Sequence, residues 1–161
     1  MAPPHQRHAV DFWLPVERRR AFRFLADVRN LDPTTPEWLS FTPRAVPSSL
    51  GEGTRIDYRL RYRFLRLRWQ SEIVVWEPPV LFTYEQRRGP YAAFRHEHVF
   101  EQEDGGTRVI DRVRWRAWGG PLVRRLVAAE VERIFAHRAD AVRRLLDVGT
   151  ATPSSPRRAT G

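Results

Sequence analysis

Two neighbouring runs of alternating residues constrain the fold of this chain more than any other feature. One face of the first run holds Ile56, Tyr58, Leu60, Tyr62 and Phe64, and one face of the second holds Leu65, Leu67, Trp69, Ser71, Ile73 and Val75. The intervening positions up to Glu72 are all polar, and five of them are arginines. Because successive side chains of a strand point to opposite faces, each run predicts a strand with one apolar and one solvated face. Such a one-sided pattern is typical of an antiparallel sheet.

The rest of the chain predicts further strands and two helices. Strands are expected at 8–14, 38–46, 81–87, 94–103 and 107–118, and Asp104-Gly105-Gly106 is a turn signal that joins the last two into a hairpin. Apolar residues at helical spacing predict a first helix that ends near Asp32-Pro33. A second helix is expected to begin at Gly119-Gly120-Pro121 and to continue to about Leu146, which is roughly 39 Å at about 1.5 Å per residue.

The long helix offers the only sizeable apolar surface left to cover the sheet. Its apolar stripe comprises Leu122, Leu126, Val127, Val131, Ile134, Phe135, Val142, Leu145 and Leu146. A sheet with one apolar face must bury that face against another element. The expected fold class is therefore α+β, a curved antiparallel sheet wrapped around a long C-terminal helix, with an inner space that side chains need not fill.

Composition excludes several classes of chemistry. The 161 residues include no cysteine, which rules out disulfides, thiolate nucleophiles and zinc bound by cysteine. They include no lysine either, so the net charge of +9 comes from arginine, and a Walker A phosphate loop and Schiff-base catalysis are ruled out. No apolar run approaches the roughly 20 residues that cross a bilayer. We expect a soluble, cytoplasmic protein with one domain at 8–148, between disordered tails at 1–7 and 149–161.

A dispersed set of residues carries a resemblance to a known family. The set comprises Phe24-Leu25, Asn30-Leu31, Thr35-Pro36, Gly53-Thr54, Phe82, Glu85, Gln86, Gly89-Pro90-Tyr91, Phe94, His96, His98, Phe100-Glu101, Gly106-Thr107, Asp111, Val113, Trp115 and Gly120-Pro121-Leu122. Over about 8–146 the chain resembles the START-like (SRPBCC) superfamily, which includes birch-pollen-allergen-like proteins, polyketide cyclases and coenzyme-Q-binding proteins. It is most similar to small bacterial members of ligand-binding or cyclase/dehydrase-like type. The resemblance implies the helix-grip fold, and its members include binders, carriers and enzymes.

Two histidines and an aspartate form the most distinctive polar group of the sequence. His96 and His98 are two residues apart on one strand and share a face, and a hairpin that turns at Gly105 places Asp111 opposite His98 or Phe100. Three interpretations stay open: a hydrogen-bonded polar patch, a polar anchor for a ligand, and a catalytic or metal site. A catalytic site would use acid/base chemistry, and two histidines with one carboxylate are a known metal-binding set. We expect one of the first two, with no resident metal and no other cofactor.

Aromatic residues dominate the inner face of the predicted sheet. Apolar walls with a few polar groups are typical of small-molecule pockets. The residues expected to bind the ligand are Tyr58, Tyr62, Trp69, Tyr84, Gln86, Phe94, His96, His98, Phe100, Asp111, Trp115 and Phe135. The sequence therefore predicts a protein that binds or carries a hydrophobic small molecule such as a lipid, a quinone or a polyketide. The alternative is a cyclase/dehydrase-type enzyme that uses His96, His98 and Asp111 as acid/base groups.

The arginine-rich face of the two alternating runs has two interpretations. The first is a solvated outer face with ion pairs between strands. The second is transient peripheral contact with an anionic membrane, because an apolar hairpin tip lies between arginines. The residues of this predicted membrane surface are Arg61, Arg63, Phe64, Leu65, Arg66 and Arg68. We expect no nucleic-acid partner, since the arginines follow strand alternation and no recognition motif is present.

Overall fold

The computed structural model describes residues 4–148, and within that part of the chain seven strands form one antiparallel sheet. The strands are β1 (Gln6–Leu14), β2 (Leu39–Pro43), β3 (Arg55–Tyr62), β4 (Leu65–Glu77), β5 (Leu81–Arg88), β6 (Ala93–Glu103) and β7 (Gly106–Arg116). The helices are α1 (Arg18–Ala26) and α2 (Pro121–Val148). The spatial order is β1-β7-β6-β5-β4-β3-β2, so each consecutive pair from β2 to β7 forms a hairpin. This is the predicted α+β helix-grip architecture.

The N-terminal boundary differs from the prediction by a few residues. Gln6 and Arg7, assigned to the N-terminal tail, belong to β1 and pair with Trp115 and Arg114 of β7. Polar residues at the end of an edge strand do not show the apolar–polar alternation by which a strand is predicted. The β1–β7 ladder includes Gln6 and Arg7 because β7 is long enough to pair with them. The predicted C-terminal tail at 149–161 lies outside the described residues, as do residues 1–3.

Helix α1 ends five residues before the predicted limit at Leu31. The Asp27 side chain accepts a hydrogen bond from the backbone N–H of Arg29 at 3.0 Å and begins a 3-10 helix at Val28–Asn30. A second 3-10 helix follows at Asp32–Thr34. Apolar spacing could not detect this break, because Val28 and Leu31 stay on the inner side after the helix has ended. Strand β2 is also shorter than predicted, and it ends at Pro43, which lacks a backbone donor.

The alternation of the sheet is as predicted. In β3, Ile56, Tyr58 and Leu60 are buried, whereas Arg55 and Asp57 are exposed. Three core clusters result: one under α1 and the last turns of α2, one on β3 and β4, and one under the middle of α2. The predicted stripe of α2 is only partly buried, because its first turns lie beside a cavity instead of packed sheet. Leu122 and Leu126 in these first turns are exposed, and so is Leu145 near the end of the helix.

Candidate ligand-binding cavity

A cavity of about 480 Å³ lies between the inner face of the sheet, the segment after α1 and helix α2. Strands β3 to β6 supply most of its wall, and α2 closes the opposite side. Most of the predicted ligand-binding residues line it, namely Tyr58, Tyr62, Trp69, Tyr84, Gln86, Phe94, His96, His98 and Phe135. Shared parity on twisted strands brings these side chains together, as the alternation predicts.

Three predicted ligand-binding residues do not line the cavity. Phe100 is fully buried in the core and lies 5.3 Å from the ring of Phe22 on α1. Trp115 is equally buried, in the cluster under the middle of α2. Asp111 lies behind His98, away from the cavity. Parity predicts the face on which a side chain lies but not whether another element fills the space above it, so the ligand-binding role predicted for these three residues has no support from their position.

The register of the β6–β7 hairpin brings the two histidines and the aspartate together. Asp111 pairs with His98 across the ladder, and its Oδ1 lies 2.5 Å from Nδ1 of His98. The same oxygen lies 3.6 Å from Nε2 of His96, which is too long for a hydrogen bond. The two imidazole rings are 3.9 Å apart between centroids, and all three residues are buried. The carboxylate therefore fixes the His98 tautomer with the proton on Nδ1.

Burial sets the charge state of this cluster. Burial, together with the neighbouring His98, lowers the pKa of His96 to about 3. Burial also lowers the pKa of His98. For Asp111, burial would raise the pKa, but the interactions with His98 and His96 outweigh it and hold the pKa well below its ordinary value. At neutral pH the cluster is therefore an ionised carboxylate with two neutral imidazoles.

The cluster has the residue types of a metal site, with ligand atoms of His96, His98 and Asp111 within 4.8 Å of one another. Two ligand atoms at about 2.0–2.2 Å from one zinc ion must lie roughly 3 Å or more apart. The 2.5 Å separation of Asp111 Oδ1 and His98 Nδ1 is that of a hydrogen bond instead. The geometry fits a carboxylate that orients a histidine through a hydrogen bond, and a metal ion bound to both atoms would have to break that hydrogen bond.

The aromatic wall of the cavity is held by specific contacts. Trp69 lies edge-on to Phe94 at 5.1 Å between centroids, and its indole N–H donates to Ser71 Oγ at 2.7 Å. The Gln86 amide holds the backbone of Tyr91, donating to its carbonyl at 2.9 Å and accepting from its N–H at 3.3 Å. Gln86 was predicted to bind the ligand, and its amide is engaged in shaping the β5–β6 turn.

The tyrosines of the cavity differ in their partners. Tyr62 donates to the Glu130 carboxylate at 3.2 Å, and the Trp38 indole donates to the same oxygen at 2.7 Å. The hydroxyls of Tyr58 and Tyr84 make no hydrogen bond to any residue within 4–148. Burial raises the pKa of both above the ordinary value. These two neutral hydroxyls are free to bond to a molecule in the cavity.

Arg138 of α2 is a charged cavity-lining residue that the sequence patterns did not single out. Its side chain lines the cavity and is only 7% exposed. No carboxylate of the described residues forms an ion pair with it, and its Nε has no hydrogen-bond partner. A signal was present: Arg138 follows Val131 and Ile134 at helical spacing and so occupies a position of the apolar stripe.

The mouth of the cavity has an apolar rim that is exposed to solvent. Two segments supply the rim, the β3–β4 hairpin and the stretch from Trp118 through the first turns of α2. The rim residues are Leu65, Leu67, Trp118, Val123 and Leu126. Phe64, at the tip of the hairpin, is 87% exposed. Exposed apolar side chains that are contiguous with a cavity are typical of an interaction surface.

Arginines surround the hairpin side of this rim, and all six residues of the predicted membrane surface are exposed. Arg59 faces Arg68 and Arg61 faces Arg66 across the β3–β4 ladder. None of these four arginines has an ion-pair partner among residues 4–148, whereas Arg55 pairs with Glu72 at 2.7 Å. With Arg44, Ser40 and Thr42 they line a depression on the outer face of the sheet. Like charges in register are destabilising unless an anion offsets them.

Comparison with protein families identifies the chain. Residues 11–147 match the sequence profile of the family described as "Polyketide cyclase / dehydrase and lipid transport". The chain belongs to this family. The match covers the whole sheet from the middle of β1 and almost all of α2. No curated protein matches the chain.

Solved structures share the fold of this family member at low sequence identity. TTHA0849 from Thermus thermophilus has a TM-score of 0.74 at 18% identity, over 91% of this chain and 100% of its own. Protein Ms6760 from Mycobacterium smegmatis has a TM-score of 0.66 at 17% identity, over 89% of this chain and 92% of its own. Ara h 8.0201 has a TM-score of 0.60 at 15% identity, over 86% and 98%. These likenesses confirm the START-like, helix-grip fold.

None of the helices within residues 4–148 is both long enough and apolar enough to span a membrane. The family description covers cyclases, dehydrases and lipid transport, and so fits a ligand-binding domain without naming a ligand.

Proposed function

We propose that this protein binds and carries a hydrophobic small molecule, of lipid, quinone or polyketide type, in the cavity between the sheet and α2. The observation that carries the proposal is the cavity itself, a space of about 480 Å³ with a mainly apolar and aromatic wall. Small-molecule sites are typically concave and apolar, with volumes of roughly 300–1,000 Å³ and a few polar groups. A packed protein interior has few voids larger than a water molecule, so a space of this size supports the proposal of a bound molecule.

Native mass spectrometry of gently purified protein tests the proposal, because a carrier should leave the cell with a bound small molecule. A matched pair of variants locates the site. Ile134→Trp adds an indole to the cavity wall and should weaken binding of a fluorescent fatty acid by tenfold or more. Ile110→Trp also replaces isoleucine with tryptophan, but on the outer face of strand β7, away from the cavity. It should leave binding of the fatty acid unchanged. Equal binding by both variants would contradict the proposed site.

A second candidate function is cyclase/dehydrase-type catalysis, which the Asp111–His98 hydrogen bond favours. With the proton of His98 held on Nδ1 by Asp111, Nε2 keeps its lone pair and can accept a proton. Both His96 and His98 line the cavity, so a base on this wall can reach a bound polyketide. The lowered pKa of each histidine makes it a weak base at neutral pH, and the carrier function is therefore the first proposal.

Substitutions separate the two functions. An enzyme should lose turnover of the co-purified molecule in His98→Ala while its affinity for that molecule is retained. A carrier should show only a change in affinity. Loss of turnover in His98→Ala with unchanged affinity would establish the catalytic function, and the metal content of untagged protein would show whether a metal takes part.

We also propose that the cavity mouth contacts an anionic membrane peripherally when the ligand is loaded or released. The apolar rim and the exposed Phe64 can insert into the lipid surface. The neighbouring arginines, which have no ion-pair partner, are attracted to anionic lipids by about 1 kcal/mol for each cation near the surface. A cytoplasmic location and the absence of a nucleic-acid partner stay predictions.

Vesicle co-sedimentation tests the membrane contact. The double variant Phe64→Ser with Leu65→Ser should bind weakly to vesicles that contain phosphatidylserine. Val46→Ser is the matched control, because Val46 is an exposed apolar residue beyond the opposite end of the β2–β3 pair. Binding of the native protein should fall steeply with salt. Salt-independent binding, or equal binding to neutral vesicles, would overturn the proposal.

A further inference from the structure

The unpaired guanidinium of Arg138 distinguishes this cavity from a purely apolar one. The side chain is more than nine-tenths buried and lines the cavity, and it has no carboxylate partner among the described residues. Buried arginine is almost always paired, because removing a charge from water is costly. A cavity-lining guanidinium without a protein partner is therefore available to a negatively charged group of the ligand.

The other charged groups of the cavity wall are already paired within the protein. Asp27 pairs with Arg29 at 2.6 Å, and Glu130 pairs with Arg133 at 3.3 Å. Glu130 also accepts hydrogen bonds from Trp38 and Tyr62. Arg138 is the one cavity-lining charge within residues 4–148 that has no such partner.

The surroundings of Arg138 suit an acidic group. Tyr58, Tyr84, His96 and His98 line the same cavity as Arg138. The hydroxyls of Tyr58 and Tyr84 have no hydrogen-bond partner among residues 4–148, and a phenol can donate to a carboxylate. A guanidinium on α2 and two phenol donors on the sheet, all lining one cavity, form a recognition set for a carboxylate.

The position of Arg138 along α2 fixes the direction in which such a ligand lies. Leu126 at the rim and Arg138 are separated by roughly 18 Å along the helix axis, at about 1.5 Å per residue. The polar group is therefore at the inner end of the cavity, and the part of α2 that lines the cavity between it and the rim is apolar apart from Glu130. Glu130, the nearest acidic residue of α2 that lines the cavity, lies roughly 12 Å away along the same axis and opposes an acidic group only weakly.

We propose that the ligand is a hydrophobic carboxylic acid that enters acid first, with its carboxylate on Arg138 and its apolar part extending toward the rim. This inference rests on the proposed function, because it names the chemical class of the molecule that the cavity takes.

Calorimetric titration of the full-length protein at neutral pH with dodecanoic acid and with dodecanol tests the inference. These probes have the same apolar chain and differ in the head group. A hydrogen bond to a charged group contributes about 1.5–3 kcal/mol, so the acid should bind roughly tenfold to a hundredfold more tightly. Arg138→Gln should remove that preference, and Arg138→Lys should retain part of it. Arg144→Gln, on the exposed side of α2, should leave it unchanged.

The outcomes separate this inference from the proposed function. Equal affinity of the native protein for both probes would overturn the acid preference and leave a hydrophobic carrier. The same preference in Arg138→Gln as in the native protein would assign recognition of the acid to other groups and also overturn it. Binding of neither probe would contradict both proposals. The comparison of two probes on the native protein stays decisive even if a variant fails to fold.

Discussion

Asp111 and His98 face each other across the β6–β7 hairpin, and the Asp111 carboxylate accepts the Nδ1 proton of His98 over 2.5 Å. Both residues are buried, and of the two only His98 lines the cavity. The carboxylate therefore acts through the histidine, as an orienting group, and does not contact a molecule in the cavity.

Asp111→Asn is expected to lower the free energy of unfolding by about 1–3 kcal/mol, because the neutral amide replaces a charged acceptor and adds a donor with no partner. Urea unfolding measures the change. Asp140→Asn is the matched control, since Asp140 is exposed on α2 in an ion pair with Arg143, and its substitution should cost about 0.5 kcal/mol or less. Equal effects at the two positions would show that the buried pair contributes nothing special to stability.

Acid should destabilise this protein from about pH 6.5 downward. The pKa of His96 falls from 6.5 to about 3 on burial, so between these values the unfolded chain binds a proton that the folded protein excludes. The free energy of unfolding therefore decreases as pH falls, by at most about 1.4 kcal/mol per pH unit for each such histidine. Burial of His98 acts in the same direction. Below about pH 4, the lowered pKa of Asp111 adds a further loss of the same sign.

Unfolding free energies at a series of pH values measure this dependence. His96→Gln should make it shallower, since one excluded proton is removed. His137→Gln removes a histidine that lies outside the cluster and does not line the cavity, and serves as the control. A native protein whose stability is constant between pH 7 and pH 5 would contradict the proposed neutral state of the buried histidines.

Local sequence rules predicted much of this architecture and part of the site. Alternation placed Tyr58 and Trp69 on the inner face, and the turn at Gly105 set the register that joins His98 to Asp111. The depth at which a side chain is buried was not predictable in the same way, because the Phe22 ring of α1 that packs on Phe100 comes from a distant part of the chain. Arg138 was missed because a charged residue on a helix is normally solvated.

Gly106, at the start of β7, has no room for a side chain, so a single methyl group there should disturb the fold. An added Cβ would collide with the backbone carbonyl of Leu14 and lie 2.5 Å from Cζ2 of Trp13. Gly106→Ala should therefore lower the free energy of unfolding by about 1–3 kcal/mol through overpacking. Gly120→Ala is the control, because an added Cβ meets no atom within 4 Å there. Similar melting temperatures for the two variants would show that β1 can move away from β7.

Arg138→Met should stabilise the ligand-free protein, because it replaces an unpaired buried cation with an unbranched apolar side chain. Removing a buried charge that has no partner is expected to raise the free energy of unfolding by about 1 kcal/mol or more. For a chain of this size, each kcal/mol raises the melting temperature by roughly 2–4 °C. Arg144→Met makes the same change on the exposed side of α2 and should shift stability by about 0.5 kcal/mol or less. Dodecanoic acid should raise the melting temperature of the native protein more than that of Arg138→Met, since only the native cavity gains an ion pair on binding. A lower melting temperature for ligand-free Arg138→Met than for Arg144→Met would show that the guanidinium is already satisfied within the folded chain.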